Sequence, residues 1–169
     1  MTMFYQPGLG KGKRILFVGE SPSPKGWNEG KACRNSKGDT LPTGKRINDL
    51  LKPFCITVDE CGFAELCQSV LKERRLMRKR AKNDWPEFLK IVVREKRKLI
   101  IVLGVETTNV FSSLCGYEVP MGEISKIKLG TRVYSVLPIY HPSPINPKSE
   151  KKNNVITSRL RKRIENLVK

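Results

Sequence analysis

The sequence predicts an α/β domain on a mainly parallel sheet of about four strands, and three observations carry the prediction. Two short apolar runs, Arg14-Ile15-Leu16-Phe17-Val18 and Leu99-Ile100-Ile101-Val102-Leu103, have the unbroken hydrophobicity of strands buried on both faces. Each run ends at a glycine, Gly19 or Gly104, where the chain leaves the strand. Stretches with helical spacing separate the strands, and that alternation defines a layered α/β architecture. With 169 residues there is material for one such domain and too little for two, so residues 1–169 are read as a single domain.

The elements follow in order. Residues 1–13, with turn formers at Pro7, Gly8, Gly10 and Gly12, read as a flexible basic lead-in. After the first strand comes a polar stretch from Ser21 to Thr40, rich in Gly, Pro, Asn and Ser; loops of this length are functional or disordered. Helical spacing starts near Thr43, with Ile47, Leu50, Leu51 and Phe54 on one face and Pro53 at its end. Gly62 to Cys67 is a weaker strand candidate. A helix from about Asp84 to Lys98 turns Trp85, Phe88, Leu89 and Val92 inward and leads into the second apolar strand. Val105 to Cys115 reads as helix and Val133 to Pro138 as a third apolar strand. A last amphipathic helix shows Ile156, Leu160, Ile164 and Leu167 at spacings of four, four and three. There is no internal repeat. In such sheets ligands sit at the carboxyl ends of the strands, and the loops after Val18 and after Pro138 both leave carboxyl ends, so they converge on one site.

Lys and Arg total 33 against 16 acidic residues, a formal charge of +17. Self-repulsion of that size works against compactness and makes sense when the partner is a polyanion. The 38% hydrophobic content excludes a disordered basic tail. No apolar run approaches the roughly 18 to 20 residues of a membrane span, and the N-terminus lacks the apolar core of a secretory signal. The five cysteines, at 33, 55, 61, 67 and 115, contain no Cys-x-x-Cys pair, so zinc-ribbon, thioredoxin-like and common iron–sulfur spacings are unsupported. They read as reduced, packed thiols in a cytoplasmic protein. From Lys72 to Lys82, seven of eleven residues are basic and only Glu73 opposes them. Arg74, Arg75, Arg78, Lys79, Arg80 and Lys82 are candidates to neutralise backbone phosphates, although a charge run is often only a solvated face. Lys148, Lys151, Lys152, Arg159, Arg161, Lys162 and Arg163 form a second basic region. The segment GLGKGK at 8–13 precedes the first strand, whereas a phosphate-binding loop would follow it.

Two segments have the residues for chemistry. In Gly19-Glu20-Ser21-Pro22-Ser23-Pro24 an acid directly follows a buried strand on a Pro-stiffened turn, which holds it where a ligand can reach it. Taken alone, an ordinary surface turn is the favoured reading. In Tyr140-His141-Pro142-Ser143-Pro144-Ile145-Asn146-Pro147 the single histidine of the chain is pinned by the proline that follows it. A neutral imidazole held this way can donate to a developing oxyanion; a histidine satisfied by a neighbouring carbonyl is the competing reading.

Together these segments resemble the two signature motifs of the uracil-DNA glycosylase superfamily, a Gly-Glu-x-Pro loop after the first core strand and a His-Pro-Ser-Pro loop near the C-terminal end. Leu41-Pro42-Thr43-Gly44 with its helix, and Lys98 to Gly104, occupy the places of the family's base-stacking loop and central strand. The resemblance runs over roughly residues 14–147. It implies a three-layer α/β/α sandwich and a monofunctional glycosylase that flips uracil or another deaminated base out of DNA and hydrolyses its N-glycosidic bond. By motif, Glu20 orients water or stabilises the sugar cation, and His141 donates to the departing base. Gly19, Ser21, Pro22, Pro42 and Glu65 line the base pocket, and Ser143, Pro144 and Asn146 enter the minor groove. The resemblance implies no metal or organic cofactor, DNA as partner, and a monomer.

The sequence departs from the pattern at four points. Ser23 stands where many relatives have Gly. The stretch Leu41-Pro42-Thr43-Gly44 lacks the stacking aromatic of some relatives, leaving Trp27 or Pro42 for that role. Glu65 falls near the asparagine that reads the uracil edge, and a carboxyl supplies the amide's donor-and-acceptor pair only when protonated. The cluster-binding cysteines are missing, so no iron–sulfur cluster is expected. These departures keep two alternatives open: a non-catalytic DNA-binding protein of the same fold, and a hydrolase of a phosphorylated small molecule.

Overall fold

The computed structural model describes residues 4–169. In chain order the elements are β1 (Tyr5–Gln6), β2 (Ile15–Gly19), β3 (Trp27–Asn28), β4 (Lys31–Ala32), α1 (Pro42–Leu51), β5 (Gly62–Glu65), α2 (Met77–Val93), β6 (Leu99–Leu103), α3 (Val105–Cys115), β7 (Ser125–Leu129), β8 (Arg132–Ile139) and α4 (Pro147–Val168). The central sheet has the order β1-β5-β2-β6-β8-β7. Its inner strands β5, β2, β6 and β8 are parallel, and the edge strands β1 and β7 are antiparallel to their neighbours.

Alternation along the strands divides the core into two. Ile15, Phe17, Leu99 and Ile101 point to one face, where Ile47 and Leu51 of α1 and Ile156, Leu160 and Ile164 of α4 cover them. Leu16, Val18, Ile100 and Val102 point to the other, against Phe88, Ile91 and Val92 of α2 and Val110 and Phe111 of α3. Each fully buried side chain of this kind contributes roughly 1.5–3 kcal/mol. The result is the three-layer α/β/α sandwich that the family resemblance implied.

The four parallel strands are those the apolar runs predict; the sheet has six because two edge strands escape the pattern. The first lies in the expected flexible lead-in. From Phe4 onward that segment is packed instead: Tyr5 and Gln6 pair with Ala64 and Phe63, and buried Gln6 donates to the carbonyls of Val58 and Cys61 and accepts from Ala32 N–H. Residues 1–3 of the lead-in lie outside the described residues. The second, β7, alternates Lys126 and Lys128 with buried Ile127 and Leu129, the signature of a strand with one wet face. The long Ser21–Thr40 loop contains the β3–β4 hairpin. Helix α2 begins near Met77 rather than Asp84. Pro86 looks like a first-turn proline, but Met77 and Ala81 extend the apolar stripe backwards at steps of four, and their burial carries the helix through it. No helix among the described residues is long and apolar enough to cross a membrane.

Candidate active site

All four parallel strands end on one side of the sheet, at a cleft of about 680 Å³. The chain goes from β2 outward to β5 and then to β6 on the opposite side of β2, so the order reverses here, the position where open α/β sheets hold ligands. Gly19, Glu20, Glu65, Leu103 and His141 line the cleft.

Gly19 and Glu65 are register partners across β2 and β5. A Cβ at position 19 would lie 2.1 Å from Glu65 Oε2; glycine is what lets the carboxyl lie across the end of β2. Trp27 Nε1 donates to Glu65 Oε1 at 3.4 Å, while Oε2 has no hydrogen-bond partner in the protein. The residue is only 6% exposed. Burial pushes its pKa up to about 8, with the Trp27 hydrogen bond pulling it down and the charge of Glu20 pushing it further up. At neutral pH Glu65 is therefore a neutral acid with an O–H donor and a carbonyl acceptor. The Trp27 ring packs edge-on against Phe63, centroids 6.0 Å apart, so aromatic surface is present in the cleft.

Glu20 is held by its own backbone, since Cys67 N–H donates to Glu20 O and Leu66 N–H to Gly19 O, both at 3.0 Å. Its Oε2 lies 3.2 Å from Arg74 Nη2, and the same nitrogen lies 2.8 Å from Glu106 Oε2 at the start of α3. Arg74 thus bridges two carboxylates at the cleft mouth. The guanidinium is two-thirds exposed, so the pairs hold position more than they stabilise.

His141 follows β8 by two residues and is exposed at the mouth. Gly104, at φ +99°, turns β6 into α3, and a Cβ there would come within 3.4 Å of His141 Cβ. Tyr140 is clamped by fully buried Asn153 of α4, which accepts from Tyr140 N–H at 2.9 Å and donates to its carbonyl at 2.7 Å. Lys152 sits over the Tyr140 ring at 4.5 Å. Arg46 of α1 donates to Ser143 O and lies 3.7 Å from Glu150. The imidazole's partial desolvation, and secondarily the charge of Arg74, hold its pKa below the ordinary value, so it is neutral at neutral pH.

Of the remaining predicted positions, Ser21, Ser23 and Ser143 line the cleft. Pro22 is buried and Pro42 is exposed, and neither lines it; Leu41 and Thr43 take the place of Pro42. Pro144 and Asn146 are exposed beside the cleft, with Ile145 between them 91% exposed. Arg75, Arg78, Lys79 and Arg80 are exposed around the start of α2; Arg75 pairs with Glu73 and Arg80 with Asp84. Asn153, Phe63 and Ile145 were missed by the sequence reading. Asn153 carries one signal, a polar residue on the apolar stripe of the last helix. Cys33 also lines the cleft, but burial pushes its thiol up to about 12, so it is not a nucleophile. Among the described residues no group of three or more His, Cys, Asp or Glu is placed to hold a metal ion.

A sheet of this order, with an acid after its first central strand and a histidine loop after its last parallel one, has the arrangement that the two sequence motifs implied. The family comparison agrees: the Uracil DNA glycosylase superfamily matches over residues 7–164, and the chain belongs to that superfamily. No curated protein matches the sequence.

Proposed function

We propose that the protein is a monofunctional DNA glycosylase that hydrolyses the N-glycosidic bond of a flipped uracil or other deaminated base, working as a cytoplasmic monomer. The observation that carries this reading is that Glu20, Glu65 and His141, from three different strand ends, line one cleft. A deaminated base shows an N–H beside a carbonyl where its parent has a bare nitrogen beside an amino group. Neutral Glu65 complements that edge, its O–H donating to the carbonyl and its own carbonyl accepting the N–H. The Trp27 N–H on Oε1 favours the proton on Oε2, an oxygen buried beside Gly19, so the carboxyl turns outward to present the pair to a base.

As the glycosidic bond stretches, positive charge builds on the sugar and negative charge on the base. Glu20 stabilises the first or orients the attacking water, and neutral His141 donates to the base oxygen as it becomes anionic. Exposed Ile145 is shaped as an apolar wedge for the gap left in the stack. Arg78, Lys79 and Arg80 sit in the first turn of α2, which has no acidic residue. Cations there oppose the helix dipole, an arrangement that makes sense when phosphates lie over that turn.

The test is strand cleavage after alkali, using end-labelled single strands and duplexes with uracil, hypoxanthine or xanthine at one position. Cleavage of one of them that Glu20→Ala abolishes supports the reading. One observation favours the alternative of a non-catalytic DNA-binding member of the fold: Arg74 occupies the carboxylate of Glu20. No cleavage, with tight salt-sensitive binding to the same DNAs, would select that alternative.

A further inference from the structure

The opposite end of the sheet has its own electrostatics. Basic residues precede the parallel strands, and because those strands start on one side, their cations converge. Arg14, Lys96, Lys98, Lys126 and Arg132 surround a cleft of about 580 Å³. Lys13 and Arg94 join from an adjoining cleft of about 590 Å³ that shares Arg14, Lys96 and Arg132. Among the described residues, only Lys13 of these seven has a carboxylate within reach, Glu95 at 3.9 Å.

Two buried polar groups line the first of these clefts without being fully satisfied. Arg97 is 5% exposed, donates to Lys13 O and Tyr5 Oη, and leaves Nε without a partner. Tyr134 is 3% exposed and its hydroxyl has no partner. The C-terminal ends of α2 and α4 lie at this side, Val93 and Leu167 lining the clefts. Each helix end is equivalent to only about half a negative charge, far short of neutralising the cluster.

We propose that this amino-terminal edge is a second nucleic-acid backbone site, separate from the active-site cleft. Its ligand is a run of phosphodiesters. Lys126 donates to Ser135 Oγ and Arg94 lies over the Tyr5 ring, contacts that leave their charge uncancelled; cations without a carboxylate partner on several chain segments suit a polyanion with many charges better than a single phosphate. A membrane surface is less suited, because an interfacial anchor needs an amphipathic apolar face, and the large exposed hydrophobics lining these clefts are only Val93, at the end of α2, and Val133, on β8. Five-residue β2 and β6 separate the two ends by about 17 Å. A short straight duplex seated at the cleft therefore leaves the far edge free, and the protein holds two segments at once. This inference does not depend on whether the cleft is catalytic.

The test is stoichiometry by sedimentation velocity, at low salt, with an undamaged duplex of about one helical turn, about 34–36 Å. Wild-type protein should bind two duplexes per chain and bridge a labelled duplex to a bead-bound one. Lys98→Gln/Lys126→Gln/Arg132→Gln should bind one duplex, lose bridging, and lower the salt slope of overall binding by about 2–3. The reciprocal Arg78→Gln/Lys79→Gln protein should retain the duplex at the far edge. These exchanges are at exposed positions, and circular dichroism of each variant checks the fold. One duplex or none on wild-type protein, or two on the triple variant, overturns the proposal. So does a triple variant that keeps both duplexes and loses only co-sedimentation with phosphatidylserine vesicles, which would assign the edge to a membrane.

Discussion

At the carboxyl end of the sheet, two arginines beside the cleft are answered by opposite charges, Arg74 by Glu20 and Glu106 and Arg46 by Glu150, while Lys25, which lines it, has no carboxylate within salt-bridge distance among the described residues. At the amino end, Arg14, Lys98 and Arg132 have no carboxylate within salt-bridge distance among the described residues, although the strands joining the two ends are the same. A strongly basic chain divides its charge between two uses. A cation held between carboxylates is committed to geometry, because its field is largely cancelled where it sits. An unpaired cation keeps its field for a ligand. Net charge alone does not separate the two uses.

The largest effects are expected at the carboxyl end. His141→Ala should lower the single-turnover cleavage rate by on the order of 10² or more, and Glu20→Ala should lower turnover with little change in duplex affinity. Wild-type rates in both variants would remove the site assignment.

Glu65 makes the carboxyl end sensitive to pH. Its pKa of about 8 means that cleavage should fall as pH rises through 8, when the O–H donor is lost. Glu65→Gln should retain cleavage without that alkaline fall, because an amide keeps donor and acceptor. Stability runs the same way. A carboxyl raised in the folded state contributes fully below its unfolded pKa of about 4.3, and the contribution is lost as pH rises towards 8. The thermal midpoint of Glu65→Gln should therefore exceed that of wild type by a margin that widens from pH 5 to 8 and then levels. Parallel profiles would show that Glu65 is ionised throughout.

Asn153→Ala is a smaller test. Removing the clamp leaves the Tyr140 backbone groups unpaired, at about 1–3 kcal/mol. It should lower kcat about tenfold by loosening the His141 loop, at a cost of about 1.4 kcal/mol in the barrier. Unfolding in urea and single-turnover kinetics read the two effects separately, and an unchanged kcat would make Asn153 purely structural. The smallest effect belongs to Arg75→Ala. Its exposed pair with Glu73 should contribute less than about 1 kcal/mol to stability, while the salt slope of DNA binding should fall by about 1 if Arg75 meets a phosphate.

By itself the sequence determined the four parallel strands and the positions of Glu20 and His141. Buried strands announce themselves as continuous apolar runs, and Gly19, Gly104 and the prolines mark where the chain leaves them. It also placed Glu65 among the pocket residues and stated the condition under which a carboxyl could serve there. Only the tertiary structure raises the pKa of that carboxyl, since burial and the charge of Glu20 push it up against the pull of the hydrogen bond from Trp27 thirty-eight residues away, and the missing Cβ of Gly19 leaves the carboxyl room to lie there. The edge strands escaped for a related reason: Tyr5 and Gln6 are too few to show a period, and what orders them is pairing with residues nearly sixty positions on. The same holds for Asn153 under Tyr140 and for the cations of the amino edge. Arg14, Lys98, Lys126 and Arg132 are scattered along the chain, and they become one surface because parallel strands all begin at the same end of a sheet.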